Sequence, residues 1–138
     1  MIDKQEFYHG AALIRLLADN RCIRVCGRDF GYEVNDKVFI HFKYSTKVRS
    51  PWGFTFNDDE ISKLDKMKET HERIMVALIC DGDGICALDW YTIFELLGAK
   101  SGRLAIKRDF NKQYTIWGAA DCLNHKVSNK EWPEGLFK

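Results

Sequence analysis

The spacing of hydrophobic residues changes along the chain, and each change marks a predicted element. A first helix is predicted from Asp3 to about Ala18, because Asp3 and Glu6 form a capping box and apolar residues then recur at helical spacing. The apolar stripe consists of Phe7, Ala11, Ile14, Leu17 and Ala18, widened by Leu13 and Leu16. Period-two alternation follows and predicts short strands over Arg21–Cys26 and Gly31–Val34.

The stretch from Lys37 to Phe56 predicts the central strand of the domain. Asn35-Asp36-Lys37 reads as a hairpin turn into a strand over Val38–Tyr44, which is rich in β-branched and aromatic residues. Because side chains alternate across a strand, Val38, Ile40, Phe42 and Tyr44 share one apolar face. We expect that face to be buried, and the face that carries His41 and Lys43 to point towards solvent. Trp52, Phe54 and Phe56 alternate along the next extended run.

The second half of the chain repeats the change from helix to strand. Asn57 and Glu60 form a second capping box, which opens a helix predicted to reach about Arg73. The continuously apolar run Ile74–Cys80 predicts a strand buried on both faces. The remaining predicted elements are a return strand over Ile85–Leu88, a helix over Trp90–Leu97, a hairpin of Arg103–Lys107 with Gln113–Trp117, and a tail that docks through Trp132, Pro133, Leu136 and Phe137.

This order predicts a single domain over residues 1–138 of the mixed α/β class. We expect one mixed sheet flanked by helices, with a core over residues 1–88 and an extension of helix, hairpin and tail over residues 89–138. The length of 138 residues is sufficient to bury a core without metals or disulfides.

Composition agrees with a soluble protein and narrows its environment. Apolar residues make up 46% of the chain and charged residues 30%, and the net charge is +1, so any electrostatic attraction to nucleic acid must be local. No apolar run is long enough to span a membrane and the N-terminus has no signal-peptide pattern. Five cysteines, without a CxxC pair, favour free, buried thiols in a reducing cytoplasm over a zinc site.

Basic residues concentrate around the central strand. From Lys37 to Arg49 there are basic residues and no acids, and a second basic cluster lies in the C-terminal hairpin. The candidate nucleic-acid contacts are Lys47, Arg49, Arg103, Lys107 and Arg108. Such charge runs are equally consistent with ordinary solvated faces.

The element order and the basic central strand resemble the core of the PD-(D/E)XK nuclease superfamily, which includes restriction enzymes and Holliday-junction resolvases. In that family an aspartate begins the second strand, and an acidic residue, any residue and a lysine lie on the third. Asp29 precedes the second predicted strand, and Lys43 lies 14 residues after Asp29. The second acidic position is occupied by His41, and Arg28 stands where a proline is usual.

The resemblance implies metal-assisted hydrolysis of a phosphodiester bond in DNA, with Asp29, His41 and Lys43 as the catalytic set. Asp29 would hold Mg²⁺ or Mn²⁺, and Glu33 is the nearby carboxylate that could replace the missing acid. Magnesium prefers oxygen ligands, whereas manganese tolerates nitrogen better. Glu6, on the first helix, corresponds to a position where the family often has an acidic residue.

The departure at His41 leaves a second interpretation open, in which the domain has lost catalysis and binds nucleic acid or a partner protein. A third is an unrelated α/β domain in which Lys43, His41 and Asp29 are an ordinary surface lysine, a surface histidine and a turn residue. A catalytic site predicts that Asp29, His41 and Lys43 converge in a concave pocket. A binding module predicts basic residues spread over a flat face. Nuclease-like domains of this size often act as homodimers, so a homodimer is a further expectation from the family.

Overall fold

The chain forms four helices and eight strands. The mixed α/β class predicted from the sequence is confirmed. The computed structural model describes residues 1–138. The helices are α1 (Lys4–Leu17), α2 (Asp58–Met67), α3 (Trp90–Leu97) and α4 (Glu131–Glu134), which a 3-10 turn follows over Gly135–Phe137. The strands are β1 (Val25–Arg28), β2 (Gly31–Val34), β3 (Val38–Ser45), β4 (Trp52–Phe56), β5 (Arg73–Cys80), β6 (Gly84–Asp89), β7 (Gly102–Lys107) and β8 (Thr115–Trp117).

The strands form two sheets, not the single sheet expected from the sequence. The larger sheet has the order β1-β2-β3-β5-β6, in which β3 and β5 are parallel and every other pair is antiparallel. The smaller sheet has the order β4-β7-β8 and is antiparallel. The strand β4 leaves the large sheet because its alternating Trp52, Phe54 and Phe56 bury against the face of the large sheet that carries Phe39.

The large sheet is buried on both faces, so the expectation that His41 and Lys43 face solvent is wrong. One face packs against α1 and the C-terminal turn through Ile40, Phe42 and Trp132. On the other face, the small sheet and α2 cover Phe39, which has no exposed surface, and leave His41 only 9% exposed. Alternation identified the two faces correctly, but it did not show that a second layer covers the one with polar residues.

Helix α1 begins at the predicted capping box, in which Asp3 accepts from the Glu6 amide at 2.8 Å. The face that it buries differs from the predicted stripe. Ala12 and Leu16 are fully buried, whereas Phe7 and Ile14 are 64% and 70% exposed. Apolar residues occur on more of the helix surface than can contact the sheet at once. The side of α1 that carries Ala12 and Leu16 is the one that packs against the sheet.

Two element boundaries also differ from the predictions. The first strand covers Val25–Arg28 and not Arg21–Cys26, because the Asn35 side chain accepts the amides of Ile23 and Arg24 and so takes the place of a strand partner there. Helix α2 ends at Met67, six residues before Arg73, as the chain turns into β5.

The C-terminal segment packs on both layers. Strand β7 pairs with β4, and Trp132 and Leu136 lie in the core beneath α1, so the predicted docking of the tail is confirmed for these two residues. All five cysteines are free, as predicted, but only Cys80 and Cys86 are buried, whereas Cys22 and Cys26 are half-buried and Cys122 is exposed. None of the helices combines the length and the apolar character that crossing a membrane requires.

Candidate functional site

A cavity of about 510 Å³ lies where β3 runs past the end of β2. The pairing of β2 with β3 ends at Tyr32 and Ile40, whereas β3 continues to Ser45. The hairpin between β1 and β2 turns at Asp29-Phe30 and forms one wall. The lining residues with polar or aromatic side chains are Gln5, His9, Arg28, Asp29, Phe30, Tyr32, His41, Phe42, Lys43, Tyr44 and Glu60.

Glu60, in the first turn of α2, binds both candidate residues of the central strand. Its Oε2 accepts a hydrogen bond from Lys43 Nζ at 2.7 Å and lies 3.2 Å from His41 Nε2. The three side chains are between 11% and 18% exposed. Lys43 Nζ also lies 4.8 Å from the centre of the Phe56 ring, a cation–π contact. The fold therefore brings a carboxylate to the lysine of the motif, although 17 residues separate them in sequence.

The surroundings of Glu60 favour its ionised form. Burial raises the pKa of Glu60, but the hydrogen bonds from His41 and Lys43, the charge of Lys43 and the Asn57 amide outweigh burial and bring the pKa to about 2. His41 Nδ1 donates to the Phe30 carbonyl oxygen at 2.9 Å, while its Nε2 faces the Glu60 carboxylate. Both ring nitrogens of His41 therefore face an oxygen atom of another residue. The ring of Phe30 stacks on His41 with 4.1 Å between centroids.

Glu33, the predicted substitute carboxylate, lies outside this cavity and binds elsewhere. Its Oε2 lies 2.7 Å from His71 Nε2, and its Oε1 accepts from Arg28 at 3.1 Å. The bond from His71 is the largest influence that lowers the pKa of Glu33, with the charge of Arg28 and a bond from it adding to the effect. The Glu33 carboxylate thus links the β1–β2 hairpin to the segment after α2.

Asp29 lines the cavity and is exposed at the tip of the β1–β2 hairpin. Glu6 does not line it: the Glu6 side chain caps the exposed N-terminus of α1. Helix α1 instead contributes Gln5 and His9. Burial lowers the pKa of His9, and the charge of His41 lowers it further. The His9 side chain that lines the cavity is therefore neutral at pH 7.

The predicted basic residues lie around the small sheet. Arg103 and Lys107 are exposed on its outer face, where the Arg103 guanidinium lies over Gly53. Lys47 donates to the Pro51 carbonyl at 3.0 Å, and Arg49 is exposed in the same loop. Arg108 differs, because it forms an ion pair with Asp83 at 2.8 Å and its side chain is 19% exposed. Of the five, Arg108 is the least available to a ligand.

The protein contains no group of three or more His, Cys, Asp or Glu side chains arranged to hold a metal ion. Magnesium, however, is commonly held by one or two carboxylates together with waters and the phosphate oxygens of a substrate. Asp29 and Glu60 both line the cavity and supply oxygen ligands of that kind. Both carboxylates other than Asp29 are already engaged: Glu60 Oε2 contacts Lys43 and His41 and its Oε1 accepts from the Asn57 amide, while Glu33 contacts His71 and Arg28.

Glu60 is the residue that sequence reasoning missed. Its spacing from Asn57 identified it as a helix-capping residue, and the structure confirms that role: Glu60 Oε1 accepts from the Asn57 amide at 3.3 Å. The capping role gave no indication that the other carboxylate oxygen, Oε2, contacts Lys43 and His41. Comparison with known proteins adds no assignment, because no protein-family model, no curated protein and no solved structure matches the chain.

Proposed function

We propose that this protein acts on nucleic acid and that the cavity beside β3 cleaves phosphodiester bonds in DNA with the help of a divalent metal ion. The observation that carries the proposal is that Asp29, Lys43 and Glu60 line one cavity although they come from a hairpin tip, a central strand and a helix. Two carboxylates and a lysine around one recess are the groups that the resemblance to PD-(D/E)XK nucleases requires.

Four residues of the cavity have a role in this proposal. Asp29 and Glu60 would hold Mg²⁺ or Mn²⁺, which when bound supplies an activated water and neutralises phosphate charge. Lys43 is a cation held in position by Glu60 and Phe56, so it stabilises negative charge on a phosphate without having to reorganise. His41 is a positioning residue, because it connects Glu60 to the carbonyl of Phe30 at the hairpin tip.

The second candidate function is a nuclease-like domain that binds nucleic acid or a partner protein without cutting. The observation that favours it is that Lys43 and His41 both contact the same oxygen of Glu60. That oxygen is thereby committed to an internal ion pair. Arg103 and Lys107, exposed together on the outer face of the small sheet, are then the candidate phosphate contacts.

A cleavage assay distinguishes the two. The protein is incubated with Mg²⁺ or Mn²⁺ and with duplex, single-stranded and branched DNA, and with RNA. We expect metal-dependent cutting that falls by about 10²-fold or more in Lys43→Ala and persists in Lys66→Ala, an exposed lysine of α2 outside the cavity. Thermal melting of each variant confirms that it is folded.

Absence of cutting together with salt-sensitive DNA binding would support the binding module. Absence of both cutting and binding would show that the nucleic-acid proposal is wrong.

A further inference from the structure

The cavity has an unpaired strand edge as one of its walls. Glu72 N–H donates to the Lys37 carbonyl and Asp81 N–H donates to that of Ser45, at 2.9 and 3.1 Å. The backbone groups of odd-numbered β3 residues therefore point to β5, and those of even-numbered residues point to the opposite edge. Beyond Ile40 no strand lies at that edge, so the N–H and C=O of Phe42 and Tyr44 are open to the cavity.

Aromatic rings form a further part of the cavity lining. Phe30, Tyr32 and Tyr44 line the cavity and are only partly buried. One face of the Tyr44 ring stacks on Tyr8, with 4.8 Å between centroids and 17° between planes. The Tyr8 hydroxyl donates to Asp81 and so fixes the ring beneath Tyr44. Tyr44 is thus a pre-positioned aromatic surface that lines the cavity from the face of β3 opposite to the one that carries Lys43.

We infer that this cavity accommodates an unpaired nucleotide base, so that the substrate class of the site is single-stranded or locally unpaired nucleic acid. The inference rests on the proposed action on nucleic acid and specifies its substrate. A base offers a face for stacking on Tyr44 and an edge of alternating donors and acceptors for the open backbone of Phe42 and Tyr44. A volume of about 510 Å³ falls in the range of small-molecule pockets, about 300–1,000 Å³.

An intact duplex does not match these walls. In a duplex each base face is covered by its neighbours, and only base edges and phosphates are accessible to a protein. Aromatic side chains stack on bases that are single-stranded or have been turned out of the helix. Lys43 lines the same cavity as Tyr44, from the opposite face of β3.

Binding is measured without cleavage, in EDTA, by fluorescence anisotropy of a labelled oligothymidylate and of a blunt duplex of equal length. We expect the single strand to bind at least about tenfold more tightly, and Tyr44→Leu to weaken its binding about tenfold, the loss typical of one stacked base. Tyr44→Phe retains the ring and should bind normally. Tyr91→Leu, a change at an exposed tyrosine outside the cavity, is the matched control.

Equal affinity for the two oligonucleotides, or unchanged single-strand affinity in a folded Tyr44→Leu protein, would overturn the inference. Binding of neither oligonucleotide would also overturn it. That result would favour an extended peptide, paired as an added strand, as the ligand of the open β3 edge. The cleavage assay separates this inference from the proposed function. Single-strand preference without cutting would refute only the catalytic proposal. Duplex cutting that depends on Lys43, without single-strand preference, would refute only the base-binding inference.

Discussion

Replacing Glu60 by glutamine tests the central ion pair, because glutamine keeps an acceptor for the helix cap and removes only the charge. The fall of the Glu60 pKa from its ordinary 4.5 to about 2 corresponds to about 3 kcal/mol of folding free energy, at about 1.4 kcal/mol per pH unit. The side chain is 15% exposed, so about 3 kcal/mol is an upper value. The loss arises because Lys43 remains partly buried without a counter-charge.

The contribution of Glu60 to folding stability depends on pH. Since the pKa is lower in the folded protein, ionised Glu60 stabilises the fold above pH 4.5, and the stabilisation disappears as the pH falls towards 2. Urea unfolding should therefore show Glu60→Gln to be less stable than the natural chain at pH 7 by between about 1 and about 3 kcal/mol, and the gap should narrow at pH 3.

The matched control is Asp59→Asn, which removes an exposed ion pair with Lys63 from the same helical turn and should change stability by less than about 0.5 kcal/mol. A loss below about 1 kcal/mol for Glu60→Gln at pH 7, or a loss that does not change with pH, would refute the reasoning.

Two further predictions test the packing. Leu16→Ala should cost about 2–5 kcal/mol in urea unfolding and Ile14→Ala less than about 0.5 kcal/mol, because Leu16 is fully buried and Ile14 is 70% exposed; equal losses would mean that the other face of α1 is the one that packs. A thiol reagent should modify exposed Cys122 in the native protein but Cys80 and Cys86 only on unfolding, because burial raises the pKa of both buried thiols. Rapid modification of Cys80 or Cys86 in the native protein would contradict this.

Much of the fold could be predicted from local sequence because its signals are local. The turn into β3 has positive φ at Asn35 and Asp36, and α3 ends at Gly98 with φ of 75°, as the residue types predict. Pairing between distant segments was not predictable in this way. The alternation of Trp52, Phe54 and Phe56 shows that these side chains are buried, but it contains no information about which sheet covers them.

The site was predictable to the extent that it lies on one continuous pattern. Lys43 on β3 and Asp29 at the hairpin tip follow from strand order and do line the same cavity. The sequence favours Glu33 as the second carboxylate because it lies on the adjacent predicted strand, whereas in the structure Glu33 contacts His71 and Glu60 contacts Lys43. Glu60 follows Lys43 by 17 residues and lies on a helix, so only the tertiary structure shows that it reaches the lysine.

The position of Glu60 has a consequence for how such a sequence can change over time. A carboxylate at position 41 would face the carboxylate of Glu60 where His41 Nε2 now lies 3.2 Å away, and two like charges at that distance repel. An acidic residue at position 41 would therefore destabilise this fold while Glu60 is present, unless a proton or a cation lies between the two carboxylates. In sequences that descend from the same ancestor, we expect positions 41 and 60 to covary, with one carboxylate between them.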